Sequence, residues 1–185
     1  MEQKKGIKYF IRIGGTLFLI AAFMAFALAV VNELTADKIA ANAEKETSAT
    51  ITEIFGDGIE FTRLSAELQS PVKTVYEVTK DGENKGWAVL CAPVGFKAEI
   101  EMIVGVAPDG SCLTVRIISL SETPGLGAKV AENEFLSQYN EKTGGLEIKT
   151  DIAEVAGATI SSSAVNDAVN AALDAVAVIT GGEAQ

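Results

Sequence analysis

The sequence predicts an α+β domain carried behind one membrane-spanning helix. Three observations lead there: an uncharged apolar run near the N-terminus, two pairs of β-rich runs joined by glycine-containing turns, and an apolar stripe at helical spacing near the C-terminus.

The apolar run extends from Ile13 to Val31 without a charged side chain. As a helix it would be about 28 Å long, close to the ~30 Å hydrocarbon thickness of a bilayer. One helix crosses a membrane with its backbone hydrogen bonds satisfied internally. Tyr9, Phe10 and Arg12 suit the headgroup interface. Residues 1–12 carry Lys4, Lys5, Lys8 and Arg12 against Glu2, so the positive-inside rule puts the N-terminus in the cytoplasm and everything after the span outside. Ala27-Leu28-Ala29 resembles a signal-peptidase site, but the run exceeds the ~7–15 residues of a signal h-region. It is therefore read as a retained anchor.

Segment 32–55 follows. Glu33–Phe55 is alanine-rich, free of Gly and Pro, and ends before Gly56-Asp57-Gly58, which predicts a helix packed on the domain or forming a stalk. Within 56–185, Val75–Thr79 and Trp87–Cys91 form one hairpin through Asp81-Gly82. Ile100–Val106 and Leu113–Leu120 form a second through Pro108-Asp109-Gly110. These runs alternate poorly, so helices should cover at least one face of the sheet. Ala131–Tyr139 is a short helix with Phe135 inward, Leu146–Lys149 a short strand, and Ser163–Ile179 the last helix. The stripe of that helix is Val165, Val169, Leu173, Val176 and Ile179.

Composition excludes chemistry. The 185 residues carry a net charge of −10 and contain no histidine. Triads of Ser/His/Asp or Cys/His type, haem ligation by histidine and most zinc sites are thereby removed. An acidic exported domain repels nucleic acid and anionic lipid. The only cysteines, Cys91 and Cys112, lie in apolar runs and read as buried thiols before a disulfide; alone they supply no iron–sulfur cluster. No metal site is expected. A single apolar helix without a buried charge offers no ion pathway.

Two segments carry candidate chemistry. Ala156-Gly157-Ala158-Thr159-Ile160-Ser161-Ser162-Ser163 stands before the last helix, where unpaired N–H groups favour a phosphate. Gly157 and Ala158 allow close approach of the backbone, Thr159 offers a hydroxyl, and Ser161 and Ser162 add short donors. The plainer reading is a helix capped by Ser162 or Ser163. The second segment is Ser121-Glu122-Thr123-Pro124-Gly125-Leu126-Gly127. Pro124-Gly125 predicts a type II turn with positive φ at Gly125. Leu126 and Gly127 would lie against a flat ligand, and Glu122 and Thr123 would meet its polar edges. An ordinary surface turn is the alternative.

Together these segments resemble the FMN-binding domain shared by the G subunit of Rnf electron-transport complexes and the C subunit of sodium-pumping NADH:quinone reductases, and the chain is more similar to the former. Val94-Gly95-Phe96-Lys97-Ala98-Glu99-Ile100, Glu122-Thr123-Pro124-Gly125-Leu126-Gly127, Ala128-Lys129-Val130-Ala131, Phe135-Leu136-Ser137-Gln138 and Gly157-Ala158-Thr159-Ile160-Ser161-Ser162 follow the family's order of motifs. The resemblance covers roughly residues 7 to 180.

It implies that Thr159 is esterified to the phosphate of FMN by a separate flavin transferase, and that the Glu122–Gly127 loop lies near the flavin ring. It implies a non-catalytic electron-transfer subunit of a ferredoxin:NAD-type complex that translocates Na+ or H+, with the other membrane subunits as partners. Acidic surroundings would disfavour an anionic flavin. The chain departs from the family at Ala156, where Ser or Thr is usual, and at Ala153, where Asp is common; Asp151 and Glu154 lie close by. The competing readings are a stand-alone membrane-anchored flavoprotein and an anchored structural or sensory domain without flavin.

Overall fold

The computed structural model describes residues 2–64 and 69–181. It divides into an N-terminal unit ending at Lys45 and a domain beginning at Glu46.

The described residues of the first unit are all helical, because α1 runs unbroken over Glu2–Phe55. The predicted span and the segment after it are thus one helix. Its apolar window reaches a mean hydropathy of 2.4, and none of that window is buried. Leu17, Phe18, Leu19, Phe23 and Phe26 all stand exposed, surface that lipid rather than water accommodates. Thr16 donates its hydroxyl to the Arg12 carbonyl at 2.8 Å, satisfying a polar group inside the helix itself. Among the described residues this is the one helix long and apolar enough to cross a membrane.

The domain is built on a five-stranded antiparallel meander in the order β1 to β5. The strands are β1 (Glu60–Leu64), β2 (Val72–Lys80), β3 (Glu83–Cys91), β4 (Ile100–Val106) and β5 (Cys112–Leu120). Both predicted hairpins are present, with Val75 opposite Val89 and Val104 opposite Val115. Val75, Val89, Val104 and Val115 point to one face, where Val165, Val169, Leu173 and Val176 of α3 (Thr159–Ile179) cover them. Val78, Ala88 and Ile103 point to the other, where Ile51, Ile54 and Phe55 from the last turns of α1 cover them. Gly105 lets that helix approach, since a Cβ there would lie 2.9 Å from Ile54. Two covered faces explain the poor alternation: β4 is buried at every position but Glu101.

α1 stops where predicted. Gly56 takes φ +87° and returns its N–H to the Thr52 carbonyl at 2.8 Å, a left-handed helix cap.

Three expectations are corrected, and one strand is additional. β1 had no sequence signal, being a short edge strand of mostly exposed residues, anchored by Phe61 edge-on to Tyr76. Leu146–Lys149 is no strand; its contact is a lone bridge between Ile148 and Ile152. Helix side chains satisfy its backbone instead: Leu146 N–H donates to Asn170 Oδ1, and the Leu146 carbonyl accepts from Asn166 and Asn170. The predicted helix Ala131–Tyr139 is broken into 3-10 turns flanking a single α turn, α2 (Asn133–Leu136), with Phe135 inward as expected. The last helix begins at Thr159, four residues before the expected Ser163. No serine caps it, because Ser162 Oγ accepts the Val155 N–H at 3.1 Å instead.

Candidate functional site

Three loops converge at one end of the sheet. The first is the tight turn between β3 and β4, where Val94 pairs with Glu99 and Gly95 N–H reaches the Ala98 carbonyl at 2.9 Å. The second is the 121–127 segment. Leu126 N–H donates to the Thr123 carbonyl at 3.2 Å, and Gly125 sits at φ +76°, the type II geometry predicted for Pro124-Gly125. The third leads into α3, with Gly157 at φ +79° just before it.

Between them lies a cleft of about 370 Å³, lined by Phe96, Glu122, Thr123, Leu126, Gly127, Gly157, Ala158, Thr159, Ile160 and Ser161. Its size is inside the ~300–1,000 Å³ range of small-molecule sites. Both sequence motifs line it, although about thirty positions separate them. Gly125 and Ser162 stand outside the lining. Phe96 is added to it, exposed at 69% on the rim with Leu126 and Ile160. Sequence reasoning placed Phe96 in a family motif without assigning it a role; an exposed aromatic beside Gly95 was the available signal.

Two polar sites in the cleft differ. At one, Thr159 is the first residue of α3, and its side chain is exposed. Ala158 at the cap makes no side-chain hydrogen bond, and no acidic residue occupies the first turn. The helix therefore turns uncapped N–H groups, with the partial positive charge of its N-terminus, toward the cleft, next to a hydroxyl. A phosphate fits this end by charge and by hydrogen-bonding chemistry.

At the other, bonded to the same turn of α3, Glu122 is only 6% exposed. Its Oε1 accepts the Lys97 N–H at 3.0 Å, and its Oε2 accepts the Ser161 hydroxyl at 3.0 Å. Burial alone would raise its pKa, but these bonds, with those from the Ala98 and Phe96 N–H groups, hold it below the ordinary value.

The acids near the Gly-Ala-Thr triplet lie elsewhere. Asp151 accepts the Glu147 N–H at 3.0 Å, and Glu154 pairs with Lys149 at 3.4 Å. Glu154, Ala153 and Ala156 line a separate, smaller cleft of about 250 Å³. There the backbone of Ala153 is held on both sides by the Gln138 amide. Cys91 and Cys112 are free and buried, and burial pushes both thiols up to about 12. No cluster of metal-ligating side chains occurs among the described residues.

Comparison with known proteins agrees with this arrangement. Residues 95–174 match the FMN-binding domain, and residues 2–54 match the RnfG N-terminal region. The chain is 27% identical to the G subunit of the proton-translocating ferredoxin:NAD(+) oxidoreductase complex of Clostridium ljungdahlii, over 99% of this chain and 100% of that one. It is 28% identical to the G subunit of the Na(+)-translocating ferredoxin:NAD(+) oxidoreductase complex of Acetobacterium woodii, over 92% and 95%. The G subunit of the ion-translocating oxidoreductase complex of Shewanella piezotolerans is 30% identical, over 89% and 88%. With one apolar helix leading into an FMN-binding domain, the chain is a single-pass membrane protein that belongs to the G-subunit family of ion-translocating oxidoreductase complexes.

Proposed function

We propose that this chain is an electron-transfer subunit of an Rnf-type membrane complex and carries FMN joined through its phosphate to Thr159. The observation that carries the reading is the exposed Thr159 hydroxyl at the uncapped start of α3, opening onto a cleft walled by Phe96, Leu126 and Ile160. In attachment, the Thr159 hydroxyl loses its proton and its Oγ forms a bond to the flavin-bearing phosphorus. The bond from that phosphorus to the nucleotide leaving group of an activated flavin dinucleotide breaks. A separate flavin transferase performs this step.

FMN, once bound, supplies the redox chemistry. The chain's own contributions are the phosphate seat at α3, apolar side chains at the cleft rim, and a tether. The tether keeps the cofactor on a domain outside the cytoplasm, where no free pool replaces it. Residues 1–12 then lie in the cytoplasm, 13–31 span the membrane, 32–55 connect, and 56–185 form the extracytoplasmic domain. The basic N-terminal flank supports that orientation. The immediate partners are the multispan subunits of the same complex.

The test is a denaturing gel of the chain made together with the transferase. Ultraviolet-excited flavin fluorescence is expected at the mass of this chain, and Thr159→Ala should remove it. Fluorescence that survives in the variant would refute Thr159 as the acceptor.

A further inference from the structure

The buried carboxylate of Glu122 has more built around it than a ligand contact requires. It lies against three successive backbone N–H groups, those of Phe96, Lys97 and Ala98, the kind of concavity that elsewhere takes an external anion. Its second oxygen receives the hydroxyl of Ser161, itself 1% exposed, in the first turn of α3. Two glycines make the room. A Cβ on Gly95 would collide with Glu122 Oε1, and one on Gly127 would lie 2.6 Å from Oε2. Neither glycine takes a positive φ, so the space filled by the carboxylate, and not turn geometry, accounts for both. Gly125 and Gly157, at φ +76° and +79°, belong to the opposite case.

We propose that Glu122 is a positioning residue: an internal anion that joins the Phe96 turn to the first turn of α3, rather than a hydrogen-bonding contact for the flavin ring. Through the N–H groups it fixes where Phe96 stands on the rim. Through Ser161 it fixes the turn of helix that begins with Thr159. An amide in its place keeps the shape but loses the charge and one acceptor, and a donor then faces a donor. The carboxylate also leaves a fixed negative charge in the cleft wall, which opposes any gain of negative charge by a bound group. With FMN in the cleft, as proposed above, that charge lowers the midpoint potential of the flavin.

The experiment compares Glu122→Gln and Ser161→Ala with the unaltered full-length chain in detergent, in two arms. Amide hydrogen exchange on protein made without the transferase needs no flavin, and therefore tests the clamp even if the flavin assignment fails. Exchange at Phe96, Lys97 and Ala98 should quicken at least tenfold in Glu122→Gln. In Ser161→Ala it should change much less, because the carboxylate still fills the turn. The second arm is redox titration of flavin-loaded protein. Glu122→Gln should shift the midpoint potential upward, and Ser161→Ala, which keeps the charge, should not. Unchanged exchange in Glu122→Gln would overturn the proposal. So would an equal upward shift in both variants, which would make packing rather than charge the cause. A potential shift in Glu122→Gln with unaltered exchange would make Glu122 a flavin contact and overturn it as well.

Discussion

Thr159 and Glu122 lie in the same cleft, each in a motif of small and polar residues, and the fold treats them in opposite ways. Thr159 is exposed at an uncapped helix start and lines the cleft. Glu122 is buried, and both its oxygens are engaged by groups of the chain itself. A polar side chain with its bonding satisfied internally organises a site; one left exposed at a helix N-terminus remains available for chemistry. Ser161 and Ser162 fall with Glu122, since one hydroxyl donates to its carboxylate and the other accepts from Val155. The pattern of residue types did not separate internally bonded groups from exposed ones, but the hydrogen bonds do.

The sharpest way to break the contrast is substitution at Thr159. Thr159→Ala should lose covalent flavin completely while its circular dichroism and melting temperature stay those of the parent chain. Thr159→Ser, which keeps a hydroxyl on the same turn, should retain a measurable fraction of flavin fluorescence on a denaturing gel. If the serine variant were as dark as the alanine variant, the hydroxyl would not be the group that matters.

Next in size are changes at the clamp. Glu122→Ala leaves buried N–H groups without an acceptor and should cost about 1–3 kcal/mol, read from chemical denaturation of the domain. Gly127→Ala forces a methyl group against the same carboxylate and should cost about 1–3 kcal/mol by overpacking. Ile160→Ala, an exposed substitution in the neighbouring turn of α3, should fall within about 0.5 kcal/mol of the parent. A neutral effect of both clamp variants would remove the distinction between Glu122 and Thr159.

Acid provides a subtler test. The folded state holds the Glu122 pKa below its ordinary value, so its stabilisation is present above about pH 4 and is lost as pH falls through that lowered value. The stability advantage of the parent over Glu122→Gln should therefore be constant near neutrality and shrink on acidification below about pH 4. An advantage that grew on acidification would reverse the assigned sign.

The smallest effect is expected at Phe96, which is 69% exposed. Phe96→Ala should leave stability within about 0.5 kcal/mol of the parent. Removing an aromatic neighbour should nevertheless raise the fluorescence yield of attached flavin. Equal yields would place the ring of Phe96 away from it.

Much of the fold was legible because its strongest signals are local. The charge-free run to Val31, the Gly56 stop, the Asp81-Gly82 and Pro108-Asp109-Gly110 turns and the stripe from Val165 to Val176 each act within a few residues. What escaped depends on partners distant in sequence. β1 pairs with β2 and sets Phe61 on Tyr76, and Leu146 is held by Asn166 and Asn170 twenty or more positions later. The start of α3 was misjudged because Ser162 reaches back to Val155 instead of capping the helix. In the site, the segment 121–127 and the segment before α3 were both identified, and they do meet. The inward turn of Glu122 was not, since nothing in its own motif reveals that Gly95 and the N–H groups beside it form the socket.

Intact-mass spectrometry of the full-length chain, produced in cells that contain a flavin transferase, tests the covalent claim most directly. The expected mass is that of the polypeptide plus one FMN less one water, with peptide mapping placing the addition on Thr159. A bare polypeptide, or an addition carried by any other residue, would contradict it.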